Sequence, residues 1–163
     1  MLLDVSLNTF LAVRVRGSVG ASKEVLSTLR MLNLPRANYA TIVRNTSSSL
    51  GMLRKVQRYV TWGEPTLETV KRLLVKKGEL DGGKRLDDER VKALGFNSID
   101  ELAEKIFSGE VTLSQLKEKG LRPFFRLHPP RKGFKHSIKR PFKDKGEFGY
   151  RGQEINSLAV RMS

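Results

Sequence analysis

Between Phe10 and Trp62 the spacing of apolar residues switches repeatedly between the period of a strand and that of a helix, and this alternation restricts the architectures open to the chain. From Phe10 to Arg16, Leu11, Val13 and Val15 alternate with Ala12, Arg14 and Arg16, as in a strand with one buried face. That register sends Arg14 and Arg16 together to the opposite face. Gly17 and Gly20 interrupt the strand, and Ser22 can cap a helix whose Val25, Leu26, Leu29 and Leu32 form a stripe before Pro35. Asn38 to Arg44 alternates again, through Tyr39, Thr41 and Val43. A second helix and a short strand around Tyr59 to Trp62 complete a β-α-β-α-β order, which makes a two-layer sandwich with two helices on one sheet face. The other face is then open or backed by another part of the chain, and it would carry Arg14 and Arg16. Gly17-Ser18-Val19-Gly20 also fits the loop that grips RNA in KH domains, but that loop joins two helices and this one follows a strand, so the KH reading is set aside.

The second helix is the most informative element. Ser47, Ser48 and Ser49 offer hydroxyl oxygens to the free amides that open it. On a wheel of about 100° per residue, Leu50, Met52, Leu53, Val56, Tyr59 and Val60 share one half, and Arg54, Lys55 and Arg58 occupy the other. Gly51 falls among the cations, at a cost of roughly 1 kcal/mol relative to Ala. Two readings fit it: a gap in a basic face that lets a phosphate backbone approach the helix, or a glycine tolerated in the first turn beside solvated charges.

Beyond Gly63 the spacing becomes helical. Pro65 and Thr66 start a helix with Val70, Leu73 and Leu74 on one side, closed by Lys76, Lys77 and Gly78. Gly82-Gly83 is a loop, and Asp87 to Leu94 is a short helix stopped by Gly95. Ser98 with Glu101, and Thr112 with Gln115, form two capping boxes that open helices ending at Phe107 and before Gly120. The expected organisation is a core over 1–63, a helical insertion over 64–121, and a returning strand with a basic arm over 122–163. In the returning strand Phe125 and Leu127 alternate with Phe124, Arg126 and His128, and it is expected beside the strand that ends at Trp62. From Pro129 to Arg151 prolines, glycines and cations prevail over aliphatics, which predicts a mobile arm that orders on a polyanion. Phe134, Phe142, Phe148 and Tyr150 place aromatic faces among those cations, an arrangement suited to stacking on bases or sugars. Ile155 and Leu158 restore apolar spacing near the end, so the last dozen residues can pack back.

Charge follows the same division. Residues 1–62 hold 9 Lys or Arg against 2 Asp or Glu, residues 63–121 hold 11 against 12, and residues 122–163 hold 11 against 3. Two basic segments flanking a neutral one point to a polyanionic partner, because Lys and Arg gain affinity by displacing condensed counterions. An anionic membrane would require a basic amphipathic helix or a lipidation signal, and neither is present. No apolar run is long enough to span a bilayer, and the stretch from Met1 to Asn8 lacks the basic start of an export signal, so no membrane association is expected. The absence of cysteine removes disulfides, thiolate metal sites and thiol nucleophiles together. Glycine-rich nucleotide-binding loops are missing as well. His128 and His136 lie in the basic part, where phosphate contact or exposure suits them better than acid-base work, and the carboxylates cluster in the insertion, where helix surfaces and caps account for them. No cofactor, metal or enzymatic activity is expected. The short helices of the insertion suggest helix-turn-helix DNA binding, but a segment without net positive charge lacks a basic recognition face.

Leu11-Ala12-Val13-Arg14-Val15-Arg16-Gly17, the helix end from Leu29 to Leu34, Gly51-Met52-Leu53 with Lys55-Val56, and Tyr59-Val60-Thr61-Trp62-Gly63-Glu64 together resemble the large-subunit ribosomal protein thirty family. Phe125-Arg126-Leu127-His128-Pro129-Pro130 with Gly133-Phe134, and Gly149-Tyr150-Arg151 before Ile155-Asn156, extend the resemblance over nearly the whole chain. Short bacterial relatives look like residues 10–62 alone. The insertion and basic tail, without a long basic N-terminal extension, point to the archaeal form. The resemblance implies a small ferredoxin-like α+β sandwich with a helical insertion and a basic C-terminal extension. It further implies a non-catalytic, cytoplasmic constituent of the large ribosomal subunit that binds 23S rRNA near 5S rRNA, beside other large-subunit proteins, supports assembly and translation, and is not a homo-oligomer. RNA contact would fall on Arg14 and Arg16, on Arg36 and Arg44 flanking the second strand, and on Gly51, Arg54, Lys55 and Arg58. In the tail it would fall on Arg126, Arg131, Lys132, Lys135, His136, Lys139, Arg140, Lys143 and Arg151. The alternatives are an RNA-binding factor that visits ribosomes during assembly, and a DNA-binding protein that uses the helical lobe.

Overall fold

The alternation that opens the chain is realised in the computed structural model, which describes residues 8–163. Of the stretch read for an export signal, only Asn8 lies among the described residues. Strand β1 (Thr9–Arg14) runs antiparallel to β2 (Tyr39–Arg44) on one side and to β3 (Val60–Gly63) on the other. It sends Phe10 and Ala12 into one apolar cluster and Leu11 and Val13 into another, so both faces of the sheet are buried.

The first cluster lies under α1 (Lys23–Met31) and α2 (Ser47–Lys55). Leu29, Leu32 and Leu34 from the α1 end of the chain and Leu53 and Val56 from the α2 end pack with Phe10, Ala12, Val60 and Trp62. Ser22 caps α1 as its position suggests, its hydroxyl accepting from the Val25 amide at 3.2 Å. The cap of α2, however, is Thr46 rather than one of the three serines. Thr46 is extended (φ −120°, ψ 161°), and its Oγ1 accepts from the Ser49 amide at 3.1 Å, so the serines form the first helical turn.

The second cluster is built by α3 (Leu67–Lys77), α4 (Asp88–Ala93), α5 (Ile99–Ser108), α6 (Leu113–Lys117) and α7 (Glu154–Met162). Their apolar residues pack with Leu11, Val13, Val15, Ala40 and Ile42 in one continuous core. The sheet therefore has no open face on which Arg14 and Arg16 could stand. Thr112 and Gln115 form the expected reciprocal capping box. Ser98 caps α5, but the Glu101 carboxylate accepts from the Asn97 amide at 2.8 Å instead of from Ser98, so that box is displaced by one residue.

The largest departure from expectation lies in the C-terminal part. Strand β4 (Phe125–Arg126) joins the sheet beside β2, pairing Tyr39 with Arg126 and Ala40 with Phe125, and not beside Trp62. The place next to β3 is taken by β6 (Gly146–Tyr150), which runs parallel to it and pairs Thr61 with Gly149 and Trp62 with Tyr150. With β5 (Ser137–Pro141) outside β6, the sheet order is β4-β2-β1-β3-β6-β5. The stretch expected to be a mobile arm is thus part of the sheet. Polar bonding supplies what its few aliphatics do not. Thr61 Oγ1 donates to the Gly149 carbonyl at 2.8 Å, Arg151 Nε donates to Thr61 Oγ1 at 2.6 Å, and Arg151 Nη2 reaches both the Glu147 carboxylate at 2.8 Å and the Glu147 carbonyl. Gly63 admits the close approach that follows, since a Cβ there would collide with the Gly152 carbonyl. The result is an α+β, ferredoxin-like sandwich. No helix among the described residues is long and apolar enough to cross a membrane.

Candidate nucleic-acid interface

The two halves of α2 and the turn after it divide as the helical wheel predicts. Leu53 and Val56 are buried, Leu50, Met52 and Tyr59 are half-buried, and Gly51, Arg54, Lys55 and Arg58 are exposed. Capping by Thr46 and the apolar anchor beneath keep this cationic face in place without using any of its charges. Glu24 is 4.0 Å from Lys55, but both side chains are largely exposed, so the pair contributes little and leaves Lys55 available. Arg54, Lys55, Arg58 and Tyr59 line a shallow hollow with Gly20, Ser22 and Val25. Arg16, half-buried beyond β1, lays its guanidinium over the Tyr59 ring at 5.5 Å from the centroid and so joins this group. No atom lies within 4 Å of where a Gly51 Cβ would stand, which leaves the helix backbone open to close approach.

A larger cleft of about 480 Å³ lies between α2 and the β5–β6 ribbon. Arg54 borders it from one side and Lys143 from the other, and Phe10, Trp62, Phe142, Phe148 and Tyr150 form most of its apolar wall. Trp62 and Tyr150 are cross-strand partners with ring centroids 6.3 Å apart. The Tyr150 hydroxyl donates to Glu64 at 2.5 Å, and burial together with this bond pushes its ionisation up to about 12. The Trp62 indole N–H is buried and has no hydrogen-bond partner among the described residues. Leaving such a donor unsatisfied costs about 1–3 kcal/mol, so an orphan of this kind calls for an explanation.

Not every residue expected to contact RNA is free to do so. Arg14 is 1% exposed, and its guanidinium donates to the carbonyls of Arg16 (2.9 Å) and Leu34 (3.1 Å) and to Ser18 Oγ (2.9 Å). It braces the chain after β1, and burial lowers its pKa. Arg151 is 8% exposed and held by Glu147 and Thr61; burial lowers its pKa, opposed by the bond from Glu147. Its guanidinium also covers the Phe142 ring at 4.9 Å. These two arginines are structural, and their inclusion among surface contacts is corrected by their burial.

Arg44 is half-buried and donates to the carbonyls of Gly109 (2.6 Å) and Glu110 (3.1 Å), tying β2 to the end of α5. Arg126 is exposed but paired with Glu79 at 2.5 Å; the hydrogen bond and the charge of Glu79 raise its pKa. Arg36, Arg131, Lys132, Lys135, His136, Lys139, Arg140 and Lys143 are exposed. His128 turns both ring nitrogens to main-chain oxygens, of Pro129 at 2.8 Å and Ser163 at 3.0 Å, rather than standing free for a phosphate. No group of three or more potential metal-ligating His, Cys, Asp or Glu side chains occurs among the described residues.

Sequence reasoning identified the aromatics of the C-terminal part but not their meeting with Trp62 and Glu64. Strand β6 joins β3 across 88 residues, and no local spacing reports such a pairing. The close Gly63–Gly152 approach leaves a trace, one glycine ending β3 and another just after β6, that gains meaning only once the pairing is known.

The sequence profile of the family described as "Ribosomal protein L30p/L7e" matches residues 10–60. Similarity to whole proteins goes further. The chain is 46% identical to a protein of Nanoarchaeum equitans over 91% of its own length and 94% of the relative. It is 45% identical to one of Ignicoccus hospitalis over 97% and 99%, and 45% identical to one of Aeropyrum pernix over 94% and 98%. Each of the three is named large ribosomal subunit protein uL30. With identity of this order over alignments that span nearly the whole chain, the chain belongs to the L30p/L7e family of ribosomal proteins.

Proposed function

We propose that the protein is a structural constituent of the large ribosomal subunit in the cytoplasm, where it binds 23S rRNA near 5S rRNA and contacts neighbouring large-subunit proteins. Family membership supports the place in the subunit. The observation that carries RNA binding is the face of α2 and the turn after it, where Gly51, Arg54, Lys55 and Arg58 are exposed while the opposite side fills the core. Backbone phosphates satisfy such a face without sequence reading, and shape and stacking add to the affinity. Arg16 extends the same surface from one side, Lys143 faces Arg54 across the cleft on the other, and the cations from Arg131 to Arg140 add further exposed charge elsewhere. No reaction is assigned to it: it acts as a monomeric, non-enzymatic support for subunit assembly and translation.

Titration of 23S rRNA with the full chain at increasing salt tests this. If about six phosphates are neutralised, log K falls with log salt at a slope of roughly −4 to −5. A salt-insensitive complex, or no complex, overturns the reading. A structural constituent also stays with mature large subunits through a moderate salt wash, whereas an assembly factor is released.

A further inference from the structure

The cleft between α2 and the β5–β6 ribbon is a second feature of this surface, distinct from the exposed helix face. Its volume of about 480 Å³ falls within the range of about 300–1,000 Å³ of pockets that enclose small planar ligands. Its chemistry is graded with depth. Trp62 and Glu64 are buried, Tyr150 is 42% exposed, and Arg54 and Lys143 stand at the exposed border. The buried part of the lining thus includes Trp62, whose indole N–H has no partner among the described residues, and the carboxylate of Glu64, while the middle offers aromatic faces and the rim offers cations. A phosphate would be repelled by Glu64 at depth and attracted at the rim. An apolar side chain would leave the indole N–H orphaned.

We propose that this cleft receives one unstacked RNA base, stacked on Tyr150 and Phe142, with its phosphate at Arg54 and Lys143. A base alone among the candidates supplies a flat face for the aromatics, a carbonyl or ring-nitrogen acceptor for Trp62 and an N–H for Glu64. The Tyr150–Glu64 bond fixes the ring in advance, which lowers the ordering cost of capture. This inference rests on the rRNA-binding reading and deepens it by naming what one part of the surface holds.

Trp62 is the only tryptophan of the chain, so its fluorescence reports the cleft directly. The full chain is titrated with 23S rRNA transcribed in vitro, with binding read by filter retention in the same samples. The expected result is quenching of Trp62 in step with retention. Tyr150→Ala should weaken retention roughly 5-fold or more, while Tyr150→Phe, which keeps the ring, should stay within about 2-fold. Retention at wild-type affinity by Tyr150→Ala, together with unchanged Trp62 emission in the wild type, overturns the base pocket and leaves rRNA binding intact. Failure of the wild type to retain RNA overturns the underlying reading instead. Should Tyr150→Ala not fold, ultraviolet crosslinking of the wild-type complex decides. A nucleotide attached to the peptide holding Phe142 or Tyr150 supports the pocket, and crosslinks confined to other peptides, or a protein crosslink at Trp62 in intact subunits, overturn it.

Discussion

The two basic segments of the chain carry nearly the same charge, and the cations of α2 differ from Arg122, Arg126 and Arg151 in what the fold sets against them. Residues 1–62 have a net charge of +7 and residues 122–163 of +8. In the first, Arg54 and Lys55 on α2 and Arg58 in the turn after it are anchored from below by apolar residues, and their one ion pair among the described residues, Lys55 with Glu24 at 4.0 Å, is exposed. In the second, Arg151 is bound to Glu147 inside the fold, and Arg122 and Arg126 converge on a single carboxylate, Glu79, at 2.8 and 2.5 Å. Glu79 comes from the neutral insertion, so that segment decides which cations of the next one remain free. Net charge counts cations; the carboxylates brought within reach by the fold determine their availability.

The strongest way to break this contrast is Arg151→Ala. If Arg151 is structural, its loss strands Glu147, 3% exposed, without a counterion, and stability should fall by about 3–5 kcal/mol in urea denaturation. A loss below about 1 kcal/mol, the range of exposed pairs, would place Arg151 with the surface cations after all. The converse is the triple replacement of Arg54, Lys55 and Arg58 by Ala. RNA affinity should drop and the salt slope become less negative by roughly 2 to 3, while each substitution shifts stability by no more than about 0.5 kcal/mol. Unfolding of that variant would show that the cationic face is part of the core after all.

Gly51→Ala has a smaller effect and divides the two readings of that residue. An alanine there meets no atom within 4 Å, so the free protein should gain about 0.5–1 kcal/mol. RNA affinity falls if the backbone is approached closely and is unchanged if the glycine is merely tolerated. The slightest effect concerns alkaline pH. The phenol of Tyr150 ionises at 10.0 when unperturbed and at about 12 in the fold, so the folded state favours the neutral form. Its contribution to stability is complete below pH 10.0 and is lost as the pH rises through about 12. In a spectrophotometric titration, Tyr150→Phe should remove a late phenolate step.

Local chemistry made much of this structure legible. Alternation at Leu11, Val13 and Val15, the Ser22 cap, the α2 wheel and the Thr112–Gln115 box all reflect interactions within a few residues of one another. The misreadings share a different cause. Arg14 alternates as a surface residue would, yet it is buried, and the loop after β1 and Leu34, beyond α1, provide three acceptors for its guanidinium. The stretch from Pro129 to Arg151 has too few aliphatics to form a core by itself, but it does not need to, because Thr61 and the edge of β3 lie ready to receive it. Both errors treat a segment as though it were alone. The same limit explains the candidate site: the α2 half was visible because it is one helix, whereas the cleft required β3 and β6 to be seen together.

The parallel pairing of β3 with β6 also sets an order of appearance during synthesis. One wall of the cleft, Trp62 and Glu64, leaves the translating ribosome long before the other, Phe142 to Tyr150, has been polymerised. A nascent chain interrupted in the insertion has α2 but no cleft, and only a nearly finished chain can present both.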